Sequence, residues 1–122
     1  MNRPLSFLAL MVCLSLSPLR AEVDFAGEIL PLLEDHCIDC HGPDKAKSAF
    51  RVDQRAVMLK GGDSGLAAIV PGKPEKSFLM EVVRGVDPDM QMPPKGDPLG
   101  SEQVALLEKW IAEGAKIARD CN

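Results

Sequence analysis

Five consecutive residues, Cys37-Ile38-Asp39-Cys40-His41, carry the most distinctive chemistry in this sequence. Two thiols separated by two residues and followed directly by a histidine form the C-x-x-C-H pattern that attaches a c-type haem. The thiols can add to two vinyl groups on one edge of a porphyrin, and a neutral imidazole nitrogen can then coordinate the iron. The pattern therefore predicts one covalently bound haem c, attached to Cys37 and Cys40, with His41 as the proximal axial ligand.

Two other chemistries use paired cysteines, and neither needs this pattern. A thiol–disulfide redox motif requires no histidine after the second cysteine, and a zinc site requires two further ligands from a second cluster. After the motif only Cys121 remains among the cysteines, and His36 is the only other histidine. We therefore favour haem over both. Cys121 itself is expected to be a free thiol or an intermolecular link.

A haem held by His41 has a second axial position, and Met92 is the best candidate to fill it. Met92 lies 51 residues after His41 and stands directly before Pro93 and Pro94, which hold the chain extended. Met90 is two residues away and could compete, because residues two apart on an extended segment point the same way. Both methionines could instead fill the core, as Met58 and Met80 are expected to do from their helical spacing.

The first 21 residues resemble a secretory signal peptide. Arg3 supplies a positive start, Leu5 to Leu16 is almost wholly apolar, and small residues lead to a predicted cleavage after Ala21. The apolar run is shorter than the roughly 20 residues that a membrane-spanning helix needs, although a retained anchor is the alternative. We therefore predict an exported protein in the periplasm or another extracytoplasmic compartment, with a mature domain over residues 22–122 and no transmembrane span after cleavage.

Composition limits what the predicted mature domain can bind. The whole chain has a net charge of −4, and removal of Arg3 and Arg20 changes it to −6, with no basic patch to follow phosphates. A nucleic-acid-binding role is therefore not expected. Few aromatic residues remain to build a core, and a buried haem would supply the missing apolar body.

Four short helical segments separated by glycine and proline predict an all-α domain. Asp24, Asp53 and Ser101 are the predicted N-caps of the first, second and fourth segments, and Pro74 suits the first turn of the third. Pro31 is expected to kink or split the first helix. Glycines are expected to end the second and third helices, at Gly61 and Gly62 and at Gly85.

Long irregular segments join these helices, at residues 42–52, 61–73 and 86–100. Compact domains rarely contain this much loop without a functional reason. Loops that wrap around a covalent haem would be such a reason, and solvated linkers are the alternative.

Several blocks, in order, resemble the planctomycete-type cytochrome c domain. They are Val23-Asp24-Phe25, Leu30-Pro31-Leu32-Leu33, Cys37 to Pro43 with its C-x-x-C-H, Phe50-Arg51-Val52-Asp53, Lys60-Gly61-Gly62, Ile69 to Pro74, Met92-Pro93-Pro94-Lys95 and Leu106 to Ile111. The resemblance covers residues 23 to about 115. It implies a small helical cytochrome c fold with His/Met ligation, Met92 as the methionine ligand, and a crossing of the first and last helices that Gly27 and Trp110 would allow.

Electron transfer with redox partner proteins is the function that these observations favour, because methionine opposite histidine raises the reduction potential. A haem sensor or a peroxidase-like enzyme with a displaceable sixth ligand is the alternative, and it would need a distal acid–base residue. Arg51 or Arg84 could pair with a haem propionate, although solvated charges are the simpler interpretation. The carbonyl of Pro43 could accept a hydrogen bond from the second nitrogen of His41.

Overall fold

The computed structural model describes residues 22–117. The signal peptide predicted for residues 1–21 and the cysteine at position 121 lie outside this range. The described chain contains four α-helices and four shorter helical turns, and its only β-type pairing is one isolated bridge between His41 and Ala46. The helices are α1, Leu30–His36; α2, Arg55–Lys60; α3, Phe78–Arg84; and α4, Ser101–Ala112. The all-α prediction is confirmed.

The first helical segment is split at the place where the sequence predicts a break. A π-helical turn, Phe25–Ile29, leads into α1, and Pro31 lies in the first turn of α1. Proline fits there because its missing N–H is one that the first turn of a helix leaves without an intrahelical acceptor. Asp24 is the residue before the π-helical turn, but its side chain makes no capping hydrogen bond.

Three helix starts differ from the predicted ones. Gln54 is the N-cap of α2 in place of Asp53, because the Asp53 carboxylate is bonded to the guanidinium of Arg51. Pro74 opens a separate 3₁₀ turn, Pro74–Lys76, and α3 begins only at Phe78. Ser101 is the first residue of α4 and not its cap, and the preceding Gly100 N–H donates to the side-chain oxygen of Gln103 at 2.9 Å.

Both predicted glycine stops occur. Gly61 ends α2 at φ 88°, and Gly85 ends α3 in the left-handed conformation at φ 64° and ψ 38°. A left-handed residue at this position allows the backbone N–H of Gly85 to reach the last turn of α3 at low steric cost.

A single apolar core joins the helices, and it includes the two methionines expected there. Met58 and Met80 are almost completely buried, together with Trp110 in the last turn of α4. The other core residues come from the π-helical turn, α1, α3 and α4, and from the segments around Val52, Ile69, Leu99 and Ala115. Helices this short gain their stability from packing of this kind and not from intrinsic propensity.

The π-helical turn contacts α4 through the aromatic ring of Phe25. The rings of Phe25 and Trp110 lie 5.6 Å apart between centroids. The first helical segment and the last helix therefore meet in this ring contact, but Gly27 does not create it: Gly27 is exposed, and a Cβ there would meet only the side chain of Asp24.

The beginning and the end of the described chain are joined beside this ring contact. The Val23 N–H donates to Glu113 at 2.8 Å, and the Trp110 indole N–H donates to the Lys116 carbonyl at 2.9 Å. An exposed ion pair links Lys116 to Glu22 at 3.6 Å. Residues 22 and 116 therefore meet at one edge of the domain.

Within residues 22–117, no helix has the length and the apolar character needed to cross a bilayer.

Candidate functional site

The predicted haem residues share one large cavity. Its volume is about 810 Å³, and its wall includes Cys37, Cys40 and His41 together with Met90 and Met92. This volume lies within the range of roughly 300–1,000 Å³ that is typical of cofactor and ligand sites. The fold thus brings a methionine loop to the motif from 51 residues further along the chain.

Helix α1 delivers the two cysteines. Cys37 is the C-cap of α1, and its backbone N–H donates to the Leu33 carbonyl at 2.9 Å. The chain then makes a tight turn in which the N–H of His41 donates to the Cys37 carbonyl at 2.9 Å. Because the turn follows the helix without a linker, both thiols and the imidazole are held by the same short piece of backbone.

The imidazole of His41 is oriented by a backbone carbonyl, but not by the predicted one. Its Nδ1 lies 3.0 Å from the carbonyl oxygen of Lys47, so the expected role of Pro43 is wrong. Chain direction explains the difference, because the loop folds back at residue 46 and places Lys47 beside the ring. The carbonyl can only accept, so Nδ1 carries the proton and Nε2 keeps its lone pair for a metal.

An aromatic ring completes the surroundings of His41. The ring of Phe50 meets the imidazole edge-on, with 5.4 Å between centroids and 67° between planes. Three backbone hydrogen bonds hold the loop against the motif: Gly42 to the Lys45 carbonyl, Lys47 to the Cys40 carbonyl and Val52 to the His41 carbonyl.

Burial raises the pKa of the Cys37 thiol to about 11, from an ordinary value of 9.0. The cause is desolvation, which disfavours the thiolate. Reactive cysteines of C-x-x-C redox proteins show the opposite shift, because a lowered pKa is what makes them nucleophilic at neutral pH. Cys37 therefore does not have the properties of a redox-active thiol.

The methionine side of the cavity is built from α3 and the loop that follows it. The Met92 N–H donates to the Val82 carbonyl at 2.8 Å, which ties the loop to the last turn of α3. Met90 belongs to a 3₁₀ turn, Pro88–Met90, so the segment is not extended throughout as the sequence suggests. The cavity wall contains both methionines; Met90 is 43% exposed, whereas Met92 is partly buried.

The remaining wall is mainly apolar. It includes Phe50, Val52, Leu66, Ala68, Phe78, Leu79, Val82, Val83, Pro93, Pro94 and Leu99. Such a wall suits the flat hydrocarbon body of a porphyrin, and the thiols, the imidazole and the thioethers supply the groups that a c-type haem uses. The residues present therefore fit the group that the motif predicts.

The two arginines considered as propionate partners are elsewhere. Arg51 pairs with Asp53 at 2.6 Å and Arg84 pairs with Glu108 at 2.8 Å, and neither lines the cavity. The hydrogen bond from Arg51 lowers the pKa of Asp53. The cations on the cavity wall are Lys47 and Lys95, which sequence reasoning did not select, because a lysine in a loop has no pattern to distinguish it.

His36 also lines the cavity, and its Nε2 lies 3.3 Å from the Gln103 side-chain nitrogen on α4. The contact joins α1 to the start of α4. The sequence pattern could not predict this contact, because the two residues are 67 positions apart.

Comparison with known proteins agrees with this site. Residues 37–96 match the family model described as Planctomycete cytochrome C. No curated protein and no solved structure gives a significant match. The matched segment begins at Cys37 and ends just after Lys95, so it contains the motif, the loop around Lys47 and both methionines of the cavity. This match supports a planctomycete-type cytochrome c domain over residues 37–96, and a domain of that family indicates haem-based electron transfer.

Proposed function

We propose that this protein is a single-haem c-type cytochrome that transfers electrons, with haem bound covalently to Cys37 and Cys40 and the iron ligated by His41 and Met92. The observation that carries the proposal is the shared cavity: both thiols, the imidazole and Met92 line one largely apolar space. When bound, the haem supplies reversible one-electron exchange at its iron. The residues around it attach it, orient its ligands and limit its contact with water.

His41 contributes a ligand that is already oriented. The Lys47 carbonyl accepts from Nδ1 at 3.0 Å, and the edge of Phe50 restricts rotation of the ring. Fixing the tautomer leaves Nε2 available and makes the imidazole a better electron donor. A prepared ligand of this kind lowers the rearrangement needed when the iron changes oxidation state.

Met92 is proposed as the second ligand in preference to Met90 for two reasons. Its backbone is anchored to α3 through the Val82 carbonyl, and its side chain is partly buried in the cavity wall. Met90 lies in a 3₁₀ turn and is 43% exposed. Holding a thioether in place costs less conformational entropy at the anchored and buried position.

A haem sensor or a peroxidase-like enzyme is the second candidate, and the position of His36 is the observation that favours it. His36 lines the same cavity and could serve as an acid–base group. Its Nε2 is engaged by Gln103, and it precedes Cys37 directly, which places it on the attachment side. Electron transfer therefore remains the first choice.

We further infer export through residues 1–21 to the periplasm or a similar compartment, where redox partner proteins would exchange electrons with the domain. Covalent haem attachment outside the cytoplasm agrees with such a leader. The physiological donor and acceptor are proposed only as a class, redox proteins, because the residues of the cavity support a haem and say nothing of its partner.

The test is expression in a bacterial host that attaches c-type haem. The mature protein should retain haem after denaturing electrophoresis, show a mass increased by one haem, begin at Glu22 and display a six-coordinate spectrum that changes reversibly on reduction. A protein that contains stoichiometric zinc and no haem would contradict the proposal. A six-coordinate spectrum lost on simple exposure to peroxide, with turnover, would favour the second candidate.

A further inference from the structure

The Lys60-Gly61-Gly62 block packs against the loop that orients His41, and Gly62 also lines the cavity. Between Gly62 and His41 stands one short turn, Lys47–Ala49. The carbonyl of Lys47 accepts a hydrogen bond from His41 Nδ1, and Ser48 faces Gly62. The turn is therefore in contact with the proposed iron ligand on one side and with a glycine on the other.

This turn has an unfavourable backbone conformation. Ser48 and Ala49 have φ values of 56° and 53°, in the left-handed region that residues with a side chain rarely adopt. Two such residues in succession persist only when surrounding contacts hold them there. The Lys47 N–H bonded to the Cys40 carbonyl at 2.9 Å is one such contact, and it comes from the motif side.

The other contact comes from the glycine block. The Asp63 N–H donates to the Ser48 carbonyl at 2.7 Å, and this bond draws the backbone at Gly62 onto the turn. A Cβ at Gly62 would overlap the Ser48 carbonyl oxygen and would lie 3.1 Å from the Cβ of Phe50. Only glycine permits this approach, and the requirement is one of space, since the backbone of Gly62 is not left-handed.

The same carbonyl of Lys47 serves two donors. It accepts from the Phe50 N–H at 3.2 Å and from His41 Nδ1 at 3.0 Å. A shift of the turn would therefore change the length of the bond to His41 and the position of the Phe50 ring together. Because the hydrogen bond at Nδ1 sets the electron-donating strength of the imidazole, such a shift would reach the iron.

We propose that Gly62 is a positioning residue that fixes the Lys47–Ala49 turn against His41, and that it thereby sets the reduction potential of the haem. The inference rests on the proposed function, in which His41 ligates the iron. Gly62 also lines the cavity beside Ser48, and the role proposed for it is to allow the close approach of its backbone to the Ser48 carbonyl.

The first test is Gly62→Ala in the haem-loaded protein. Displacing the turn lengthens the bond from Nδ1 to the Lys47 carbonyl, which weakens electron donation to the iron and destabilises its ferric form. The reduction potential should therefore rise. The exchange of the His41 Nδ1 proton with solvent, followed by NMR in the ferrous state, should become at least several-fold faster.

Gly72→Ala is the matched control. Gly72 has a φ of 78°, so alanine is strained there, but no atom lies within 4 Å of its Cβ position, its N–H donates to the Ile111 carbonyl on α4, and it does not line the cavity. This variant should lose stability and keep the wild-type potential and proton exchange. An equal potential shift in both variants would show a general effect of destabilisation and would overturn the inference.

Two further variants keep the test decisive if Gly62→Ala does not fold. Ser48→Gly removes the steric penalty of the left-handed backbone, so it should keep the wild-type potential and raise the midpoint of unfolding. A lower midpoint would contradict the strain inferred for this turn. Gly62→Ala combined with Ser48→Gly allows the turn to yield, and it should fold with the raised potential. A wild-type potential in that double variant would overturn the role of Gly62.

The two proposals fail in different ways. If the wild-type protein contains no haem, the proposed function fails and the inference with it. If haem is attached, His41 is bound and the potential is insensitive to Gly62→Ala, only the positioning role fails.

Discussion

The histidine side and the methionine side of the cavity are built differently. On the histidine side, residues 37–52 are joined by backbone hydrogen bonds at His41, Gly42, Lys47 and Val52, and a further bond reaches the imidazole itself. On the methionine side, the loop after α3 is tied to that helix through the bond from Met92 to Val82. The proposed ligand His41 therefore lies in the densely bonded region, beside the cysteines proposed to attach the haem, and the proposed ligand Met92 lies in the sparsely bonded one.

The largest expected effect comes from removing the two cysteines proposed to attach the haem on the histidine side. Cys37→Ala with Cys40→Ala should abolish the haem stain that stays with the protein after denaturing electrophoresis, because no thioether bond remains. Single variants should retain part of the stain through the other thiol. A full stain in the double variant would show that attachment does not use these thiols.

Met92→Ala should affect the iron without releasing the haem. It should open the second axial position, allow carbon monoxide to bind the ferrous form and lower the potential by on the order of 100 mV, within the roughly 0.8 V that axial ligands span. Optical spectra and a redox titration measure both effects.

Met90→Ala is the control for that experiment, since Met90 lines the same cavity but is more exposed. It should leave the spectrum nearly unchanged. If the two variants exchange their behaviour, Met90 is the ligand; if neither changes the spectrum, the second ligand is not a methionine and the sensor or peroxidase alternative gains support.

Hydrogen exchange should reveal the same contrast in the unmodified protein. We expect the amides of Gly42, Lys47 and Val52 to exchange at least about tenfold more slowly than those of residues 95–97, since protection follows local hydrogen bonding and packing. NMR at neutral pH resolves the individual amides. Equal protection on the two sides would remove the basis of the comparison.

When haem is absent, alkaline pH should destabilise the folded chain through Cys37, on the histidine side of the cavity. The folded pKa of Cys37 is raised to about 11 from 9.0. The stabilisation associated with the neutral thiol is therefore complete below about pH 9 and lost as pH rises through 11, on the order of 3 kcal/mol at most.

The measurement is alkylation of the haem-free chain, with helix content verified by circular dichroism. At pH 9, Cys37 should react more slowly in the folded chain than in urea, and Cys37→Ala should abolish the alkali-dependent loss of stability. Equal rates in the folded chain and in urea would contradict the shift.

The smallest effect is expected for the ion pair behind the methionine side. Arg84, the last residue of α3, pairs with Glu108 on α4, and both side chains are substantially exposed. Arg84→Ala should cost less than about 1 kcal/mol of unfolding free energy and should not change the potential. Glu108→Gln is the control, and a larger loss in either variant would show that this pair supports the methionine loop.

The helices and the motif were predictable because their signals are local. Periodic apolar residues placed the core methionines correctly, and Pro31, Gly61 and Gly85 marked a split and two ends that the structure contains. The helix starts were harder, because a carboxylate has several possible partners: Asp53 resembles a cap in sequence but is bonded to Arg51.

The site was predictable only in part. The motif locates three residues by spacing alone, and the family match contains them. The carbonyl that orients His41 could not be assigned, because every residue has a carbonyl and the fold alone decides that Lys47 supplies it. Irregular loops have no period, so the sequence could not show that Met90 lies in a 3₁₀ turn while Met92 is held by α3.

The meeting of residues 22 and 116 at one edge has a mechanical consequence. None of the residues that form this junction lines the cavity. Any chain attached at either end of the described segment would leave from nearly the same point, so the domain would turn about one pivot. Movement of that attached chain would then reorient the cavity without contact between the chain and the cavity wall at the junction.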